Sequence, residues 1–314
     1  MHHYKSVERA FLGELSRVLG TGEQVAPQSF PTTEVTDCIF RIERPRARLI
    51  GHPARGWSLP YAIGELFWHL SASDDLNAIA YYSRQWQRFA DGSRKISGSC
   101  YGHRIFSCDS EGNSLWMRMT NLLRRDPSSR QAVLTLFDSV VDLGSSSKDV
   151  PCTSVLQFLV RGGCVNLSVY MRSNDLMLGF GYDIFFFTIL QEMLAVALRL
   201  ELGWYQHMVG SLHVYEKDRK RAEQIANEAL ESDAPEMESL DSVDLEPILP
   251  YERILRESDR VSPAMPFPVS PFWRHLLEVL LLYRLRRDGD VGSATAARER
   301  LRSTPYFSVL PPAT

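Results

Sequence analysis

Cys152 stands between Pro151 and Thr153. A free thiol has a pKa near ~8.5, and a neighbouring cation converts it into a thiolate, a strong covalent nucleophile. Taken alone, such a cysteine would more often be an inert buried thiol. Glu65 lies in the apolar run Ala62-Ile63-Gly64-Glu65-Leu66-Phe67-Trp68. A glutamate there is paired, or is an acid/base group with a raised pKa, or is a helix charge turned to solvent. Asp183 precedes Ile184 and a long apolar stretch, where it serves either as a helix N-cap or as a carboxylate facing a ligand. His213 and Tyr215 are two apart on a strand and so point to one side of it. Cys38, Cys100, Cys108 and Cys164 have no comparable setting and are read as structural. Five cysteines without short spacing argue against a disulfide framework and against a C-x-x-C zinc site, and no metal is expected. A reducing cytoplasm is the expected compartment.

The elements that must position these residues follow from periodicity. Residues 1–20 read as an amphipathic helix with Val7, Phe11, Leu12, Leu15 and Val18 on one face. Residues 34–50 are β-like, and helical spacing returns from Leu59 to Ala72 and from Asn77 to Phe89, with Ile79, Tyr82 and Trp86 in step. Gly92 to Gly102 is loop-like, and Leu115 to Arg125 is a helix stopped at Asp126-Pro127. Strands are expected over Ala132–Asp138, Leu156–Val160 and Val165–Tyr170, with a short one over Leu212–Tyr215. Asp183 to Arg199 and Phe272 to Arg287 are apolar helices. The expected class is α+β, with one principal mixed, twisted sheet flanked by helices. The expected organisation is a single domain over residues 1–314, with an acidic, exposed and mobile linker near 231–244 and a C-terminal helical extension over 245–314.

The chain has 314 residues, 44% apolar and 23% charged, with a net charge of -3. That balance gives no electrostatic footprint for nucleic acid. The stretch Phe185–Leu200 comes nearest to a membrane span, but Gln191, Glu192 and Arg199 interrupt it. The first residues lack the apolar core of a signal peptide.

Several separated segments occur in a telling order. Pro151-Cys152-Thr153 is followed by Leu156-Gln157-Phe158, then by Arg172-Ser173-Asn174-Asp175, then by Leu178-Gly179-Phe180-Gly181-Tyr182-Asp183-Ile184, and last by His213-Val214-Tyr215. Upstream stand Glu65-Leu66-Phe67-Trp68-His69-Leu70, Trp86 to Phe89, and Tyr101-Gly102. The series resembles the core of the thymidylate synthase superfamily, closest to its dCMP/CMP 5-hydroxymethylase branch, over roughly residues 10–217.

The resemblance implies a homodimer that moves a one-carbon unit from 5,10-methylenetetrahydrofolate to C5 of a pyrimidine nucleotide. It makes Cys152 the nucleophile that adds to C6, Glu65 the group that orders water and moves protons, and Asp183 the base reader. It gives Arg172, with Ser173 beside it, the 5′-phosphate, and His213 and Tyr215 the sugar hydroxyl. Asp175 grips the pterin ring, Trp86 stacks near the folate, and Arg130 reaches across to the partner subunit's site. Synthases carry asparagine at the position of Asp183, and an amide complements the N3–H and O4 edge of uracil. A carboxylate instead accepts from N4–H₂ of cytosine and shares a proton with N3, so CMP or dCMP is the expected substrate. Thr153 also departs from the synthases, which usually place histidine after the cysteine. Gln131, and Gln28 on the early loop, stand where the family has phosphate-binding arginines. Two fewer guanidinium groups weaken the hold on a monophosphate, and Gln131 offers a contact to another sugar such as ribose. Thymidylate synthase acting on dUMP, and a non-catalytic nucleotide-binding paralogue, are the alternative functions. No nucleic-acid or membrane partner is expected.

Overall fold

Ser6 starts the first helix by accepting a hydrogen bond from the Arg9 backbone at 3.2 Å. In the computed structural model, which describes residues 1–90, 92, 94–228 and 233–311, seventeen α and β elements follow in chain order. They are β1 (His2–Tyr4), α1 (Val7–Thr21), β2 (Glu23–Val25), β3 (Thr32–Ile42), α2 (Leu59–Leu70), α3 (Leu76–Ala80), α4 (Tyr101–Phe106), α5 (Leu115–Arg125), β4 (Val133–Thr135), β5 (Thr153–Arg161), β6 (Cys164–Asp175), α6 (Phe180–Leu198), β7 (Glu201–Tyr215), α7 (Arg219–Asn227), α8 (Leu249–Glu257), α9 (Pro271–Arg287) and α10 (Val291–Arg300). The class is α+β, as expected.

The chain divides into two compact units. The first comprises, of the residues described, 1–57, 119–139, 151–228 and 233–237 and holds all seven strands. The strand order is β1-β3-β7-β6-β5-β4, with β2 also paired to β3. β1 joins β3 and β6 joins β7 in parallel, while the remaining pairs are antiparallel, so the sheet is mixed. α1 and α6 pack against it, placing Phe11, Phe40, Phe158, Phe180 and Phe185 in a closed core.

α6 is long and apolar enough to span a bilayer by length and composition, yet most of its surface is buried in the fold. Its polar residues are used internally. Gln191 donates to the carbonyls of Val165, Gly203 and Trp204 at 2.9–3.2 Å. Glu192 forms an ion pair with Arg48, both buried. β7 runs fifteen residues, far beyond the expected Leu212–Tyr215. Its first half hid because Gly203, Gln206 and His207 break the apolar alternation. Gly203 is required there: a Cβ would stand 2.2 Å from Asn166 Oδ1, which accepts from the Trp204 backbone beside a bulge in β6.

The second unit comprises residues 58–118, 140–150 and 238–311 of those described and is helical, with α2 as its centre. Phe67 of α2 meets Trp273 of α9 edge-on at 5.9 Å between centroids. Tyr82 donates to Glu252 of α8 at 2.8 Å, and Arg256 pairs with the same carboxylate at 2.9 Å. The expected helix over Asn77–Phe89 is two pieces instead. α3 ends at Ala80, Ser83 is extended, and a 3₁₀ turn covers Arg84–Phe89. The 3.6-residue spacing of Ile79, Tyr82 and Trp86 therefore reflects three inward-facing residues across a break, not one helix.

Of the acidic stretch 231–244, residues 231 and 232 lie outside the described residues. Residues 233–244 take no regular structure, but Met237 and Leu240 are buried and the Met237 backbone donates to Arg46 at 3.0 Å.

Candidate active site

β5 and β6 lie side by side, and their register brings Cys152 and Arg172 together. The Arg172 backbone donates to the Cys152 carbonyl at 2.9 Å, and Arg172 Nε donates to the Pro151 carbonyl at 2.9 Å. The half-buried thiol and the guanidinium are thus anchored to the same turn of backbone. β7 runs beside β6, pairing Ser173 with Ser211 and Asp175 with His213. The last strand residues of β6 and β7 therefore converge at one end of the sheet. Tyr215 completes this group. Burial pushes its phenol up, the Asp175 carboxylate and the Cys152 thiol add to the shift, and Arg172 opposes it. His213 meets the Tyr215 ring edge-on at 5.0 Å between centroids. Nδ1 of His213 faces the Ser211 carbonyl at 3.2 Å, so this nitrogen carries a proton and donates.

Asp175 accepts from the Met177 backbone at 2.7 Å through Oδ1, while Oδ2 is buried with no hydrogen-bond partner among the described residues. Burial raises its pKa, and His213 opposes the shift. A buried acceptor left open in this way suits a ligand that brings an N–H donor. Arg55, buried and held by a 3.4 Å bond to the Leu178 carbonyl, contributes a second positive charge near Asp175. Sequence reasoning missed Arg55 because it sits in a Pro/Gly-bounded loop with no motif around it.

Asp183 lies inside α6, not at its start. The cap position is Gly179, and the Asp183 backbone donates to the Gly179 carbonyl at 2.9 Å. The N-cap alternative therefore fails. The side chain turns inward, where Oδ2 accepts from Asn174 Nδ2 at 2.8 Å. Asn174 Oδ1 meets His207 Nε2 at 3.3 Å, and His207 Nδ1 meets the Tyr205 hydroxyl at 2.8 Å. Burial raises the Asp183 carboxyl to about 7, with the Asn174 bond opposing. Burial also lowers His207 to about 3, so its ring is neutral. Asn174, His207 and Tyr205 were not picked out from sequence. The signal available was the pair of ring side chains at β7 positions 205 and 207, which alternation places on one side.

Arg130 and Gln131 precede β4 and are exposed, and the Arg130 carbonyl accepts from Gln157 at 3.1 Å. Gln28 is exposed within a short turn and takes a left-handed φ of 53°.

Glu65 and Trp86 belong to the second unit. Glu65 is buried on α2, and its Oε1 accepts from the Tyr61 hydroxyl at 2.8 Å, one turn back on the same helix. Trp86 donates to that hydroxyl at 2.9 Å. The carboxylate is therefore held by a tyrosine that is itself fixed by an indole. Trp86 also packs against Trp68, Leu76, Ile79 and Ile96, so it is a core residue with one polar contact.

The sheet sets Cys152, just ahead of β5, beside Arg172 of β6, and α6, packed on β6, carries Asp183 in its first turn. The thymidylate synthase family profile matches residues 15–249, and the chain belongs to that family. It is 30% identical over 218 residues to the deoxyuridylate hydroxymethyltransferase of Bacillus phage SP01, covering 66% of this chain and 57% of that one. The protein of the same name from Delftia phage PhiW-14 is 27% identical over 239 residues, covering 72% and 64%. The thymidylate synthase of Bacillus licheniformis is 32% identical over 162 residues, covering 49% and 56%. The chain thus spans roughly three fifths of the length of these relatives.

Proposed function

We propose that this chain is a pyrimidine nucleotide C5 hydroxymethylase acting on a cytidine monophosphate, CMP or dCMP, with 5,10-methylenetetrahydrofolate as co-substrate. The observation that carries the reading is Asp183. Its Oδ2 is taken by Asn174, and among the described residues Oδ1 has no hydrogen-bond partner and remains for a base. A carboxyl held near neutrality in its titration can accept from N4–H₂ and share a proton with N3 of cytosine.

Cys152 Sγ adds to C6 of the base, and C5 becomes nucleophilic. C5 then takes the methylene unit that the folate supplies. Loss of the C5 proton releases tetrahydrofolate and leaves an exocyclic methylene. Water adds to that methylene, the Cys152–C6 bond breaks, and the 5-hydroxymethyl nucleotide is released. Arg172 with Ser173 holds the 5′-phosphate, His213 Nε2 and Tyr215 hold a sugar hydroxyl, and the open Oδ2 of Asp175 receives an N–H of the pterin. Glu65 orders water and moves protons, and Trp86, fixed by its bond to Tyr61, stands near the folate. We further propose a cytoplasmic homodimer in which Arg130 completes the partner subunit's phosphate site.

A second reading, hydroxymethylation or methylation of dUMP, is favoured by the names of the phage and bacterial relatives. Incubation of CMP, dCMP, UMP and dUMP with methylenetetrahydrofolate, followed by mass analysis, separates the two. The expected product is a cytidine nucleotide heavier by one hydroxymethyl group. Conversion of uracil nucleotides alone overturns the cytosine reading.

A further inference from the structure

The three side chains behind the base-reading carboxylate form a chain whose direction is fixed by its buried end. Tyr205 is fully buried, and the only hydrogen-bond partner of its hydroxyl among the described residues is His207 Nδ1, at 2.8 Å. A buried O–H left without an acceptor is costly, so this hydroxyl donates. The neutral His207 ring must then carry its proton on Nε2 and donate to Asn174 Oδ1 at 3.3 Å. That fixes the amide of Asn174, which presents Nδ2 to Asp183 Oδ2 at 2.8 Å. Donation runs one way throughout, from tyrosine to histidine to asparagine to aspartate. The backbone makes room for the last contact. A Cβ at Gly179 would stand 2.7 Å from Asp183 Oδ2 and 3.3 Å from Asn174 Nδ2.

We infer that Asn174, oriented by His207 and Tyr205, is a specificity-determining positioning residue that holds the Asp183 carboxyl in one rotation, with Oδ1 turned toward the base. The inference rests on Asp183 being the base reader. A carboxyl free to rotate would not keep its two oxygens in the plane of the cytosine edge. The relay therefore acts on the choice of base and not on the chemistry at C5.

The test uses the full-length Asn174→Ala and Tyr205→Phe variants beside Asp183→Asn and wild type. Each is assayed for kcat/KM with a cytosine and a uracil nucleotide of the same sugar. The ratio of the two constants is measured on one preparation, so a partly unfolded fraction cancels from it. A merely structural role lowers both constants together and leaves the ratio unmoved. Asn174→Ala is expected to lower the cytosine-over-uracil ratio about tenfold, as loss of one buried polar contact does. Tyr205→Phe is expected to lower it severalfold, because Asn174 can then flip. If Asp183→Asn changes the ratio and both relay variants leave it at the wild-type value, the relay is overturned while the base reader stands. If Asp183→Asn also leaves the ratio unchanged, both ideas fall together.

Discussion

A thiol one residue from the start of a strand and a half-buried carboxyl in the first turn of α6 carry most of the chemistry proposed here. Cys152→Ser is expected to reduce turnover by at least about a thousandfold, because a hydroxyl is far less acidic than a thiol. Nucleotide binding and the thermal transition should stay near wild type. Retention of a tenth of the wild-type rate would falsify the nucleophile role. At Asp183 the substitution to asparagine should reverse the preference between cytosine and uracil nucleotides, read as kcat/KM for each. The same variant reports on stability. The folded carboxyl titrates near 7, above its unfolded value, so it favours the folded state fully only below the unfolded pKa. That contribution is lost as pH rises through 7, since the unfolded chain ionises first. The melting temperature of Asp183→Asn relative to wild type should therefore climb between roughly pH 4 and 7 and then level off. A difference flat across that range would show that the carboxyl is solvated. Catalysis carries the same sign, with kcat/KM for a cytosine nucleotide falling above pH of about 7 as the shared proton is lost.

At the scale of elements, what was legible in the sequence were segments whose apolar spacing had one cause. α5 stops at Asp126-Pro127 and α9 covers the expected Phe272–Arg287. The misreadings have physical reasons. β7 concealed eleven of its fifteen residues because a buried strand that carries His207 does not alternate. α3 was run together with a 3₁₀ turn because both bury residues at helical spacing. Cys152, Arg172 and Asp183 stand out by motif, whereas Asn174 and Arg55 matter only through what they touch. The charges in α6 look like interruptions until Glu192 is seen beside Arg48, both buried. Arg48→Met removes the principal partner of a buried carboxylate and should cost about 3–5 kcal/mol. Arg48→Met with Glu192→Leu should recover most of it, because the uncompensated charge is then gone. Chemical denaturation of the three proteins checks both steps. Equal stability of wild type and Arg48→Met would mean that Glu192 reaches water or relies on Arg46, at 3.5 Å.

For the molecule as a whole, the prediction concerns subunits. Arg130 is exposed ahead of β4, and its proposed role depends on a partner chain. Arg130→Ala should raise KM for the nucleotide by about tenfold or more, as loss of a charge-assisted phosphate contact does. Mixed with Cys152→Ser protein under conditions of subunit exchange, it should regain part of the lost activity. A mixed dimer places both lesions in one site and neither in the other. Confirmed exchange with no recovery would assign Arg130 to its own subunit or to no site.

The one-way chain from Tyr205 to Asp183 has a consequence for how such a protein changes over generations. If residue 183 became asparagine, Asn174 would still present its N–H and would select the rotamer that turns the new amide nitrogen toward the base. That nitrogen faces O4 of uracil, and the carbonyl's second lone pair remains for N3–H. On the proposed reading, the scaffold is thus already arranged for the other base. In codon terms the two preferences are a single G-to-A transition apart, with no compensating change needed behind the reader.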